Sequence, residues 1–261
     1  MPERGAARAA RGALPLRPAR GQRPIRVAEV RDSYGADKRW EEFSGELPAL
    51  LLFRPLSFLV TPLFARAGFS PSGVSWLSGA LSLALPCAAV LGGAQAHWLV
   101  FAAGFGCQLL DCVDGNLARV TQRTSARGQL LDLVLGQLYW ILVLLSLGLL
   151  VERRGGGVFG GFALEVALAL PWLVLLSRIS RNYAELHFGR AQPHALRPSG
   201  PLGFRRAALV ALGGLENLYI FGIALAGALG GLDWLLLGIA VYTLAVFLYV
   251  EQDLLRGLAA R

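Results

Sequence analysis

Long apolar runs dominate this sequence and restrict the folds it can adopt. Of its 261 residues 55% are hydrophobic, and the mean hydropathy is +0.52. Runs of about 20 apolar residues are typical of helices that cross a bilayer. The pattern therefore predicts an all-α integral membrane protein with six transmembrane helices, at about residues 72–92, 97–118, 129–151, 160–179, 208–229 and 232–250.

The segment before the first predicted span has a different pattern. Residues 49–66 are apolar but are interrupted by Arg54, Pro55 and Pro62, which favours an N-terminal juxtamembrane amphipathic helix over a span. Residues 1–48 are basic and polar, and we predict a disordered cytoplasmic segment. Residues 49–261 are then expected to form a single membrane domain.

Charge and cysteine content limit the partners and the location of the protein. The formal net charge is +8. The sequence lacks a basic stretch with interleaved aromatic residues, so nucleic-acid binding is not expected. Arginines concentrate on one predicted side, whereas the other side has only Glu152, Arg153, Arg154 and Asp233. This asymmetry predicts a multi-pass cell membrane protein in contact with the lipid bilayer, with both termini and the aspartate segment cytoplasmic. The three cysteines lack metal-site spacing, so a disulfide or zinc site is not expected.

Three aspartates stand out in residues 111–136. Asp111 and Asp114 are three residues apart and share one face of a helix, and Asp132 lies at the start of the next apolar run. Carboxylates at membrane depth are costly and therefore indicate function. Carboxylate oxygens suit Mg²⁺ (or Mn²⁺), and the planar fork of Arg119 suits phosphate. We predict a site that binds a divalent metal ion and a phosphate group.

The spacing of these residues resembles the signature of the CDP-alcohol phosphotransferase family, D-x-x-D-G-x-x-A-R-x8-G-x3-D-x3-D. The resemblance implies that the aspartates are metal ligands and that the other matching residues bind the nucleotide. It also implies a CDP-linked donor, an alcohol acceptor and a homodimer. The matching positions are Asp111, Asp114, Gly115, Ala118, Arg119, Gly128 and Asp132.

The last position of the signature departs from the family. Gly136 stands where the resemblance implies a fourth aspartate that binds a second metal ion and accepts the proton of the acceptor hydroxyl. Three hypotheses stay open. In the first, another residue serves as the base, namely Glu216, Asp132 or His187. In the second, the metal ion alone lowers the pKa of the acceptor hydroxyl enough for reaction. In the third, the chain has lost the usual transfer and acts on a related ligand.

Other polar residues extend the candidate site. Glu216 lies in the fifth predicted span, where a carboxylate indicates function, and we predict that it is catalytic together with Asp132. Arg178 and Arg181 lie three apart at the end of the fourth predicted span. They are predicted to contact phosphate, with positive-inside topology as the alternative explanation. Ser75 stands where the family usually has threonine.

The leading hypothesis is a magnesium-dependent enzyme of phospholipid or polyol-phosphate lipid synthesis. It would transfer a substituted phosphoryl group of phosphatidyl type from a CDP-linked donor to an alcohol and release CMP. One alternative is a divergent membrane enzyme of the same fold that acts on another phosphorylated or diphosphate lipid. Another is a non-catalytic membrane protein that binds a nucleotide or a lipid.

Overall fold

The structure, a computed structural model, describes residues 24–188 and 214–259, and these ranges contain helices and no strand. A π-helical turn, Ala49–Phe53, leads into the third α-helix, and short 3-10 turns precede several others. This architecture confirms the all-α prediction. The α-helices are α1 Val27–Asp32, α2 Ala36–Gly45, α3 Arg54–Arg66, α4 Pro71–Leu91, α5 Ala96–Val120, α6 Ala126–Glu152, α7 Ala163–Phe188, α8 Tyr219–Leu229 and α9 Leu232–Ala259.

Six helical segments are long and apolar enough to cross a membrane, which confirms the class of membrane protein. They are Ala49–Arg66, Pro71–Leu91, Gly93–Val120, Ala126–Glu152, Ala163–His187 and Leu232–Gly257.

Two of the predicted segments differ from this set. Residues 49–66 form a helical segment that is long and apolar enough to cross a membrane. Pro55 falls in the first turn of α3, where proline is tolerated, whereas Pro62 lies inside the helix. Their interfacial position stays a prediction. The predicted span 208–229 begins outside the described residues, and its described part, Leu215–Leu229, is a shorter apolar helix.

The prediction of disorder up to residue 48 is wrong for residues 24–48. This part forms α1, which packs against α3 and α5, and α2, which packs against the π-helical turn Ala49–Phe53. Residues 1–23 lie outside the described range. Val30, Tyr34 and Glu42 are only 0%, 4% and 1% exposed. The polar composition of this segment gave no indication of these buried positions. The burial of Glu42 depends on a charged partner that lies further along the chain.

That partner is Arg54, which joins α2, α3 and α5 through a buried polar network. Arg54 Nε donates to Glu42 Oε2 at 3.0 Å, and Nη2 forms a short ion pair with Glu42 Oε1. Arg54 Nη1 donates to Asn116 Oδ1 at 3.0 Å and to the Cys112 carbonyl at 3.2 Å. The Tyr34 hydroxyl donates to Glu42 Oε2 at 2.6 Å, and burial together with this carboxylate raises the pKa of Tyr34. The phenol is therefore kept protonated as a donor.

The packing of the long helices holds α5 at the centre of the bundle. Helix α5 packs against α3, α4 and α8, and α4 also packs along α6. Small residues allow the close approach: a Cβ at Gly104 would lie 2.6 Å from Ile220, and one at Gly79 would lie 2.8 Å from Leu135. The positions of side chains on α5 and α6 are consequently fixed by dense packing.

The substitution Glu42→Gln tests the buried network. Loss of the carboxylate leaves the Arg54 charge buried without its ion-pair partner, and breaking such a pair costs about 3 to 5 kcal/mol. We expect a loss of this size in the free energy of unfolding, measured by denaturant titration in micelles. Asp32→Asn, at an exposed position on α1, is the control and should be neutral. Equal stability of Glu42→Gln and the wild type would contradict the network.

Candidate active site

The three aspartates are brought together by a short turn between α5 and α6. Asp111 and Asp114 lie near the end of α5, and Asp132 lies in the second turn of α6. Residues 121–125 connect the helices, and Gln122 adopts a left-handed conformation with φ 54°. Ser125 then caps α6, because its Oγ accepts a hydrogen bond from Gly128 N at 3.0 Å. The chain thus reverses direction and places Asp132 beside α5.

A cavity of about 270 Å³ lies at this end of the bundle and is lined by all three aspartates. Among the described residues, five carboxyl groups and two guanidinium groups line it. This excess of carboxyl groups favours binding of a cation. The charged lining residues are Glu46, Arg54, Asp111, Asp114, Asp132, Arg178 and Glu216.

Asp114 is the most buried of the three aspartates and has a fixed partner. It is 7% exposed, and Ser75 Oγ donates to its Oδ2 at 2.6 Å. Ser75 lies one turn into α4 and also lines the cavity. The hydroxyl of the threonine that the family resemblance implies at this position is therefore retained. Asp111 and Asp132 are exposed and also line the cavity.

The carboxylates suit a hard divalent metal ion in kind, but the protein alone does not form a complete set of ligands. Asp111 interacts electrostatically with both Asp114 and Asp132. No group of three or more His, Cys, Asp or Glu residues in the described ranges is close enough to form a metal site by itself. Mg²⁺ usually binds through one or two carboxylates and completes its shell with water and substrate phosphate. The oxygen donors in this cavity fit that mode of binding.

A second group of charged lining residues comes from other helical elements. Arg178 comes from α7, and Glu216 comes from the 3-10 turn Leu215–Leu218 before α8. Glu216 interacts electrostatically with Arg178 and Arg181. Gly136 lies on the same cavity wall as Asp132, and a Cβ there would meet no atom within 4 Å. The space beside Gly136 is thus open to the cavity.

Several residues of the predicted site do not line this cavity. Arg119 instead donates from Nη2 to Asn116 Oδ1 at 2.8 Å, and its guanidinium carbon lies 5.8 Å from the centre of the Tyr34 ring. Gly128 has a local role, since a Cβ there would lie 3.2 Å from Ser125 Oγ. Roles for these residues in ligand binding stay predictions. The residues outside the lining are Gly115, Ala118, Arg119, Gly128, Arg181 and His187.

Two charged lining residues were absent from the predicted site. Glu46 follows the end of α2, and Arg54 begins α3. A lone arginine inside an apolar run is a signal that could have indicated Arg54, because such a charge needs a partner. Glu46 gave no such signal, because it lies in a polar stretch that we predicted to be disordered.

The fold and the cavity define a multi-pass membrane protein with a carboxylate-rich site at one end of its helical bundle. Residues 69–184 match the family model described as CDP-alcohol phosphatidyltransferase, which confirms the resemblance, and this segment carries the three aspartates. The matched segment is less than half of the 261 residues. A comparison of the sequence with curated proteins found no match.

The hydrogen bond from Ser75 to Asp114 leads to a prediction about metal affinity. Ser75→Ala leaves Asp114 without its orienting donor, and loss of such a partner typically weakens metal binding about 10- to 100-fold. We expect a loss in this range for Mn²⁺ binding, measured by electron paramagnetic resonance on the purified protein. Ser75→Thr keeps the hydroxyl and should bind Mn²⁺ like the wild type. Unchanged affinity in Ser75→Ala would show that Ser75 does not orient a ligand.

Proposed function

We propose that the protein transfers a substituted phosphoryl group of phosphatidyl type from a CDP-linked donor to an alcohol, with release of CMP. The observation that carries this proposal is the shared cavity of Asp111, Asp114 and Asp132 within the family-matched segment. The reaction belongs to phospholipid or polyol-phosphate lipid synthesis.

The aspartates form the donor side of the proposed site. Asp111, Asp114 and Asp132 would hold Mg²⁺ or Mn²⁺, which would neutralise the charge of the donor pyrophosphate. Ser75 keeps the Asp114 carboxylate in place through its hydrogen bond. Gly115, Ala118, Arg119 and Gly128 remain our candidates for contacts with the nucleotide, although they lie outside the cavity lining.

The acceptor side is formed by Arg178 and Glu216. Arg178, with Arg181 behind it, would attract an anionic group of a substrate, because guanidinium groups match phosphate geometry. Glu216 is the base in this proposal, since it supplies a carboxylate to the cavity that Gly136 cannot. His187 lines no part of this cavity, which favours Glu216 over His187.

The transfer then proceeds as a displacement at the β-phosphorus of the donor. Glu216 takes the proton of the acceptor hydroxyl as its oxygen attacks. A new bond forms between that oxygen and the β-phosphorus, the bond from this phosphorus to the bridging oxygen breaks, and CMP leaves with that oxygen. Asp132 is catalytic in this scheme through its place beside the reacting phosphate.

Placement in the cell membrane with the cavity and both termini cytoplasmic is part of the proposal, and so is a homodimer. The asymmetry of arginines supports the orientation. The exposed apolar surface of the long helices is suited to lipid and to a second copy of the chain, with Leu91, Leu229 and Trp172 at 82%, 77% and 67% exposed.

Loss of a metal-binding carboxylate tests the reaction. We expect Asp114→Asn to lower CMP release from CDP-linked lipids by roughly 100-fold or more, because charge stabilisation at the phosphate is lost. Purified protein, Mg²⁺ and radiolabelled donors with a panel of polyols, glycerophosphate, serine and amino-alcohols provide the measurement. Glu165→Gln, an exposed carboxyl on α7, is the matched control and should retain full activity.

The same assay separates the alternatives. If no CMP is released with any member of the panel while Mn²⁺ still binds, the transferase hypothesis is contradicted. That result would favour an enzyme that acts on another phosphorylated or diphosphate lipid. Nucleotide or lipid binding without turnover of any such lipid would favour the non-catalytic alternative.

A carboxylate swap tests Glu216 as the base. A general base contributes about 100- to 10,000-fold, so we expect Glu216→Gln to lower kcat by about 100-fold or more. The open space at Gly136 accepts a side chain, so Gly136→Asp in the Glu216→Gln background should restore part of kcat. Gly136→Asn adds the same bulk without the charge and should restore none. Wild-type kcat in Glu216→Gln would exclude Glu216 as the base.

A further inference from the structure

A second cavity lies at the end of the bundle opposite the aspartates. Its volume is about 150 Å³, much more than one water molecule needs. It is formed where the end of α4, the start of α5 and the end of α6 meet, and its polar lining is His97, Arg153 and Arg154. His97 precedes Asp111 on the same helix by 14 residues, so the two cavities are separated by roughly 21 Å along α5.

His97 lines this cavity and has a ring nitrogen without a hydrogen-bond partner. Its side chain is 7% exposed, and its Nε2 is buried without a hydrogen-bond partner. The ring is held in place by close packing, since a Cβ on Gly227 would lie 2.4 Å from its Cγ. A buried polar nitrogen without a partner costs free energy, so a ligand that accepts its hydrogen bond would relieve that cost.

The two arginines are fixed in place beside His97. Arg153 Nη1 donates to the Ala89 carbonyl at 2.7 Å and also to the Val90 carbonyl, and Arg154 Nη2 donates to the Gly227 carbonyl at 2.9 Å. These bonds anchor each guanidinium and occupy few of its five N–H donors. Both groups are therefore positioned to donate further hydrogen bonds to an anion.

The acidic groups nearby do not neutralise this charge. Glu152 Oε1 accepts from Ala163 N at 2.8 Å, and Asp233 Oδ2 accepts from Val158 N at 3.2 Å. In the described part of the chain, neither acid forms an ion pair with Arg153 or Arg154. The cavity lining itself contains no carboxylate among those residues. Two cations and an imidazole thus line one cavity.

We infer that this cavity binds a phosphate group, either the headgroup phosphate of an anionic lipid or a free phosphate ion. The guanidinium groups match phosphate oxygens through paired N–H donors, and His97 Nε2 in its protonated tautomer donates a further hydrogen bond. The position at one end of the apolar bundle is suited to a lipid headgroup. This site is independent of the proposed transfer reaction.

The histidine ring itself provides the measurement. The chain has three histidines, so ¹⁵N-histidine labelling gives few side-chain signals. Inorganic phosphate is titrated into the full chain in neutral micelles at constant ionic strength. In a second arm, nanodiscs of phosphatidylcholine with and without phosphatidic acid are compared. We expect a saturable shift of the His97 ring signals and no such shift for His187.

The phosphate titration and the nanodisc comparison together identify the source of the phosphate group. Saturation by inorganic phosphate indicates a free ion, and a shift only with phosphatidic acid indicates a lipid headgroup. No saturable His97 shift in either arm, or equal shifts of His97 and His187, would overturn the proposal. This wild-type measurement does not depend on how well any variant folds.

Variants test the role of the guanidinium group. We expect Arg154→Gln to weaken the binding that shifts His97 by about tenfold or more, because a hydrogen bond to a charged group is lost. Arg154→Lys keeps the charge and should bind more tightly than Arg154→Gln. Arg66→Gln changes an exposed arginine outside both cavities and should leave the affinity unchanged. Binding should also persist in Asp114→Asn, whether or not the transfer reaction is confirmed.

Discussion

The contact between Arg54 and Asn116 determines how α5 is oriented in the bundle. Asn116 lies two residues after Asp114, and successive helical residues are rotated by about 100°, so the two side chains face opposite sides of α5. One side is held by Arg54, Ser57 and Thr61, since Asn116 Nδ2 donates to Ser57 Oγ at 2.8 Å and to Thr61 Oγ1 at 3.3 Å. The aspartates must then face the cavity. Directional polar bonds thus fix a rotation that apolar packing would specify less strictly.

The charges of the cavity come from two parts of the chain. The family-matched segment supplies the three aspartates and Arg178, whereas Glu46, Arg54 and Glu216 lie outside it. In our proposal the aspartates of the matched segment handle the nucleotide donor, and the acceptor side combines Arg178 of that segment with Glu216 outside it. The shared chemistry would then depend on the matched segment, and the choice of alcohol partly on elements outside it.

The sequence predicted the features that depend on local pattern. Hydropathy located the long helices, and the spacing of Asp111, Asp114 and Asp132 placed them on faces that meet in one cavity. Features that depend on distant pairs were not predictable. Glu42 is buried only because Arg54 reaches it from 12 residues away, and Arg54 in turn meets Asn116 62 residues further on. Spacing also gives the helix position of Arg119 but not the direction of its side chain, which packs beside Tyr34.

Glycine at residue 136 changes the electrostatics of the cavity as well as its shape. A carboxylate at this position would lie one turn from Asp132, and like charges four residues apart repel each other on a helix. Glycine removes that repulsion, and the open space beside it leaves room for a substrate group. Glu216 has its own cationic neighbours in Arg178 and Arg181, so it adds a carboxylate whose charge is partly balanced. In our proposal, a base held in this way is available without the repulsion that a fourth aspartate on α6 would add. The proposal would then explain in physical terms how the signature could lose its last residue while the cavity retains a carboxylate.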